Sequence, residues 1–243
     1  MTQGVQHPGG DRSHRENPWV GGRKINIEFA HSRRPEAPAP RRPEVPDRRG
    51  EFAMEQPSTR FRARFKRMDE STAEDWAGMM AQDDVMVAAL PDRLLDQLRL
   101  LDSEAGGFAV DRLTHSLQTT HRAEVDGRDD AYLVCALLHD IGDILAPRNH
   151  ADIAAAILRP WVPEAYHWMV EQHAVFQGYY FWHHIGEDRN ARDAFRGHEH
   201  YDLAEEFVRK YDMPSFDDEY PTPPLERYEP LLRSFFTAAA PSS

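Results

Sequence analysis

Ten of the thirteen histidines fall between residues 115 and 200, and one of them, His139, stands next to Asp140 where the apolar run AYLVCALL ends. A bare carboxylate carried into a protein interior is expensive, and a bound cation is the usual way it is tolerated. Neutral imidazole and carboxylate are donors that iron, manganese and zinc accept. We select His115, His139, Asp140, His150, His173 and Asp212 as candidate ligands, because four imidazoles and two carboxylates suffice for two metals sharing one bridging carboxylate. Taken singly, several have plainer readings. His115, between Leu113 and Leu117, resembles a core histidine; His150 opens a helix and could merely pack there; Asp212 could cap a helix end. The adjacent His139-Asp140 pair on an apolar helix is harder to explain without a metal. His121 and His167 are offset from His115 and His173 so as to face elsewhere, and His183, His184, His198 and His200 form local clusters suited to substrate or solvent.

The elements that must position these residues read as helices. Ser71-Thr72-Ala73-Glu74 has capping-box spacing, and Pro91 can open a helix bearing Leu94, Leu95 and Leu98. Asp111 can cap RLTHSLQTTHRAEV, which Gly127 closes. Asp129 or Asp130 starts AYLVCALLHDIG, apolar nearly all round and so a central buried helix. Asn149 caps HADIAAAIL, Pro163 opens EAYHWMVEQHAVFQGYYFW, and YDLAEEFVRKYD and PLERYEPLLRSFF complete the set. With no alternating strand pattern and no internal repeat, the expectation is one all-α domain over residues 60–240.

Residues 1–53 differ in kind. They hold seven of the eighteen prolines, and the first fifty carry ten basic residues against six acidic ones. Such a segment cannot bury enough apolar surface to offset its ordering entropy, and disorder is expected. The whole chain carries a formal net charge of −12, so the remainder stands near −16. A domain that acidic is a poor partner for a phosphate backbone, and nucleic acid is not expected. No apolar run is long enough to span a bilayer, so no membrane partner is expected. The single cysteine, Cys135, lies in an apolar setting that suggests a buried thiol, and a cytoplasmic location is expected.

The strings HSLQ (115–118), ALLHDIG (136–142), His150, VEQH (170–173) and KYD (210–212) resemble the HD-domain superfamily. More narrowly, the ligand order over residues 108–213 resembles the organophosphonate-cleaving diiron oxygenases, relatives of myo-inositol oxygenase. The resemblance implies an HD-type helical bundle. It implies one iron on His115, His139, Asp140 and Asp212, and a second on Asp140, His150 and His173, with Asp140 bridging as a catalytic ligand. It also implies an Fe(II)/Fe(III) pair that uses O2 to cleave a carbon–phosphorus or carbon–carbon bond in a small substrate held through its hydroxyl. HD proteins include dinuclear phosphohydrolases too. The alternative expectation is therefore a phosphohydrolase using Mn2+ or another divalent metal on a phosphate ester or nucleotide. A non-catalytic metal- or nucleotide-binding module stands third.

The sequence departs from those relatives at positions facing substrate. Asp143 stands where they place lysine or histidine, Gln177 where lysine is found, and Ala105 and Phe108 where tyrosine and glutamate are found. An acid at 143 suits a cationic substrate end, and the aromatic run FQGYYFW, with Tyr180, can face such a group, although core packing is the plainer role for it. Arg189, Arg192 and Arg196 recur at i, i+3, i+7 and suit either a solvated helix face or a phosphonate clamp through Arg189 and Arg196. The expected substrate is a hydroxylated, zwitterionic phosphonate contacting Asp143, Gln177, Tyr180, Arg189 and Arg196, with Asp143 also catalytic.

Overall fold

Asp111 and Asp129 each start a helix for the same reason: an aspartate oxygen takes a backbone N–H that the first turn cannot satisfy. In the computed structural model, which describes residues 61–103 and 106–238, Asp111 Oδ1 accepts from the Thr114 N–H at 2.7 Å and Asp129 Oδ1 from the Tyr132 N–H at 2.9 Å. The helices run α1 (Ala73–Ala88), α2 (Leu90–Arg99), α3 (Arg112–Val125), α4 (Asp130–Leu138), α5 (His150–Leu158), α6 (Glu164–Phe181), α7 (Tyr201–Phe207) and α8 (Glu229–Ala238). There is no strand among the described residues, and the all-α class expected from the periodicity is the one observed. No helix among them is long and apolar enough to cross a membrane. The segment 1–53, expected to be disordered, lies outside the described residues, as does Ala105.

α4 is the centre of the packing. Every residue from Tyr132 to Leu138 is buried, Cys135 included. A helix apolar on all faces must be covered on all faces, and α3, α6 and α8 pack against it. α5 and α7 pack in turn on α6. Each fully buried leucine or valine of α4 contributes about 1.5–3 kcal/mol relative to exposure, so this helix is a rigid post.

The chain leaves α4 in tight turns. Ile141 N–H bonds to Leu138 O at 3.0 Å, Asp143 N–H to Asp140 O at 2.9 Å, and Leu145 N–H to Gly142 O at 3.0 Å. Ile141, 1% exposed, anchors the turn in the core. Gly142 sits where a Cβ would meet the His150 carbonyl oxygen and Ile153 Cβ, both at 2.8 Å. The missing side chain is what lets the start of α5, and His150 with it, close on the end of α4.

Three details differ from the sequence reading. The first capping box is formed by Thr72 and Asp75, one residue later than expected, because Ser71 Oγ turns back to Met68 O at 2.7 Å. Asn149 precedes α5 as expected but gives no side-chain cap bond. PLERYEPLLRSFF is not one helix: a 3-10 turn, Leu225–Arg227, precedes α8. Pro230 has no N–H to give to the residue 226 carbonyl and its ring crowds that carbonyl, so a continuous helix is broken there.

Gly142→Ala is expected to destabilise the protein by about 1–3 kcal/mol through overpacking against backbone. Urea denaturation checks this, and a variant as stable as the parent would mean the turn and α5 can separate freely.

Candidate metal centre

Six side chains from five parts of the fold meet beyond the end of α4. His115 comes from the first turn of α3, His139 and Asp140 from the turn after α4, His150 from the first residue of α5, and His173 from the middle of α6. Asp212 comes from a wide turn, Val208–Asp212, that continues α7 with an i→i−5 bond from Met213 N–H to Val208 O at 2.8 Å. Such π-turns recur at functional sites because the extra residue re-aims the side chains that follow. YDLAEEFVRKYD was expected as one regular helix; the turn that aims Asp212 inward was not foreseen.

The backbone orients each imidazole. Nδ1 of His115 bonds to Ser215 O at 2.9 Å, that of His139 to Ala136 O at 2.8 Å, that of His150 to Pro147 O at 3.0 Å, and that of His173 to Val170 O at 2.7 Å. A carbonyl only accepts, so each Nδ1 carries a proton and each ring turns its Nε2 inward, where in the neutral form that atom offers a lone pair. Those lone pairs face one another: His115 and His139 Nε2 are 3.1 Å apart, and His150 and His173 Nε2 are 3.2 Å apart.

Asp140 lies between the two pairs and gives each one oxygen. Its Oδ2 is 3.5 Å from His115 Nε2 and 3.6 Å from His139 Nε2, and its Oδ1 is 3.2 Å from both His150 Nε2 and His173 Nε2. Asp212 Oδ1 joins the first pair, 3.2 Å from His115 and 3.8 Å from His139. Donors about 2.1 Å from a common cation are about 3.0–3.4 Å from one another, and most of these separations fall in or near that range. Asp212 Oδ2 is buried with no hydrogen-bond partner among the described residues, an orphaned charge-bearing atom of the kind a cation would satisfy. Among the described residues, His115, His139 and Asp212, and likewise His139, Asp140 and His173, stand close enough together to hold a metal ion.

Charge and burial oppose each other here. Burial lowers the His139 pKa to about 4. It would lower His115 and His173 as well, but the carboxylates of Asp212 and Asp140 outweigh it and raise both above the ordinary imidazole value. Burial would raise Asp140 and Asp212; the surrounding imidazoles prevail and hold both below the usual carboxylate range, Asp140 well below. The site therefore holds two carboxylates on the ionised side of their titration, largely removed from solvent.

One side is open. A cavity of about 960 Å3 reaches Asp140 and His150, walled by Phe108, Phe216, Ile144, Tyr180, Phe181 and Met213. Phe108 stacks on Phe216 with centroids 4.9 Å apart, and Phe216 stacks on His115 at 4.3 Å, so the wall runs directly into a candidate ligand. His115, His139 and Asp212 have no exposure, whereas the His150 side chain is 20% exposed. Asp140 and His150 are the candidate ligands that line the cavity.

The other expected site residues divide. Asp143, Gln177 and Tyr180 line the cavity. Gln177 Nε2 donates to Asp212 Oδ1 at 2.7 Å, so it steadies that carboxylate. Asp143 does not stand as an isolated acid, because Arg112 Nε lies 2.6 Å from its Oδ2. Arg189 and Arg196 are not among the cavity-lining residues. Arg189 lies over the Tyr179 ring at 4.3 Å and Arg196 pairs with Asp193 at 3.0 Å, since the 3-10 segment Ala191–Phe195 packs on α6 away from the cavity. In the aromatic run, Phe176 is core and only Tyr180 and Phe181 reach the cavity. His121 meets Tyr220 Oη at 2.9 Å and His198 stacks on Trp168, both outside the centre. Arg112 and Phe216 were missed. Arg112 is one helical turn before His115, and that i, i+3 spacing was the available signal.

Scanned against protein-family models, the chain matches none, and a search of curated proteins found no match either.

Two measurements check the centre. Elemental analysis is expected to find almost no metal in Asp140→Ala, which removes the shared donor, and about half the parental content in His173→Ala; undiminished content in Asp140→Ala would rule out bridging. Without metal, the raised pKa values of His115 and His173 contribute stability that is present below about 6.5 and is lost as pH rises through those values. Metal must displace those protons, so the rise in Tm on adding metal should be larger at pH 8 than at pH 6.5 in thermal-shift measurements. An increment independent of pH would mean the two histidines do not bind the ion.

Proposed function

We propose that the protein is a dinuclear non-haem metal enzyme of the HD-domain type, a diiron oxygenase acting on a small hydroxylated organophosphonate or related acid. The observation that carries the reading is the division of the Asp140 carboxylate, one oxygen to each of two histidine pairs. A donor set of four imidazoles and two carboxylates suits iron, with manganese as the alternative. When bound, a redox-active pair supplies the means to spend O2 on cleaving a carbon–phosphorus or carbon–carbon bond.

The rest of the chemistry belongs to the chain. Gln177 holds the Asp212 carboxylate in one orientation. The aromatic and aliphatic wall beside His150 offers an apolar surface to the body of a substrate. Hydrolysis of a phosphate ester is the second reading, because the same ligands could hold a divalent metal that activates water.

Purified with iron at low oxygen, the protein is expected to hold about two irons per chain and to show the EPR signal of an antiferromagnetically coupled Fe(II)/Fe(III) pair. It should consume O2 with a hydroxylated phosphonate. An EPR-silent protein that hydrolyses an aryl phosphate with Mn(II), without O2, would overturn the oxygenase in favour of the phosphohydrolase.

A further inference from the structure

Arg112 is the first residue of α3, where the positive end of the helix dipole disfavours a cation. Its side chain is only 19% exposed, with Nε 2.6 Å from Asp143 Oδ2 and Nη1 3.9 Å from Asp140 Oδ2. Its Cζ lies 4.6 Å over the Phe108 ring. Helix stability does not call for a cation at this position. Nor does ion pairing, since a largely desolvated Arg–Asp pair offers little net stability over an apolar pair of similar size. What the placement achieves is a guanidinium held at the seam between the bridging carboxylate and an otherwise largely apolar cavity.

We propose that Arg112 is the oxyanion receptor of this cavity. It selects a substrate that presents a carboxylate or phosphonate beside the metal centre and lays an apolar body along Phe108, Phe216, Tyr180 and Met213. The inference rests on the metal-centre reading for where the substrate reacts, while the anion contact is made by the chain alone. Arginine suits the task because its charge is permanent and its planar fork of five N–H donors matches two oxygens of an oxyacid at once. Asp143 engages only the Nε edge, and Nη1 lies toward Asp140 and the centre. With its charge met by Arg112, Asp143 orients the receptor and is not a seat for a substrate cation.

Calorimetric titration of the metal-loaded full chain with phenylphosphonate, benzoate and neutral benzamide tests this, with metal content measured on every sample. Arg112→Gln is expected to weaken oxyacid binding at least about tenfold, the scale of a lost charged hydrogen bond, with benzamide affinity and metal content unchanged. Loss confined to phenylphosphonate or to benzoate supports the proposal and names the head group. Arg112→Lys should recover part of the affinity, because it restores the charge without the fork. The double variant R112Q/D143N, which leaves no unpaired acid, should behave as R112Q does. Oxyacid binding undiminished in R112Q overturns the proposal, and so does a loss that extends equally to benzamide. A parent chain holding fewer than two metals would strike the dinuclear reading instead, whatever the Arg112 titrations give.

Discussion

Two ionised carboxylates and four imidazoles converge beyond the end of α4, largely buried, and the arrangement of the rest of the domain follows from holding them there. Asp140 is 4% exposed and Asp212 fully buried, yet both stay ionised against the burial penalty because imidazoles surround them. The imidazoles, in turn, are aimed by backbone: four carbonyl oxygens take the four Nδ1 protons and leave four Nε2 atoms converging. Side chains oriented in this way need rigid neighbours. α4, buried on every face, supplies the reference from which the His139-Asp140 turn departs.

The centre is built asymmetrically. On the α3 side the segment after the π-turn gives His115 three contacts in succession: the Asp212 carboxylate, the Ser215 carbonyl and the Phe216 ring. That half is sealed. On the α5 side Gly142 admits the start of the next helix, and His150 looks into the cavity. A site of this shape has one side fixed by burial and another in contact with whatever the cavity holds.

The cavity is mostly apolar, and among the described residues its one arginine is matched by a neighbouring acid. Recognition there depends less on the number of charges than on where a single guanidinium is held. Cations that seemed available from the sequence, Arg189 and Arg192, are taken up by the Tyr179 ring at 4.3 and 3.6 Å.

Much of the helical framework was legible in the sequence, because a cap followed by a 3.6-residue apolar period is decided within a few turns of chain. Asp111, Asp129 and Pro163 mark helix starts that the structure retains. The candidate ligands were legible for another reason: a His-Asp pair at the end of an apolar helix is costly without compensation, whatever the fold around it. Their meeting was not. Asp212 reaches Asp140's partners only through a π-turn, and His150 only because Gly142 lacks a Cβ; both depend on contacts between segments far apart in sequence. Arg112 became visible only when α3 was laid against the turn bearing Asp143. Sequence determined which residues could not remain uncompensated, since that follows from their own chemistry. Tertiary structure decided which of them compensate one another, since that depends on distances no local pattern encodes.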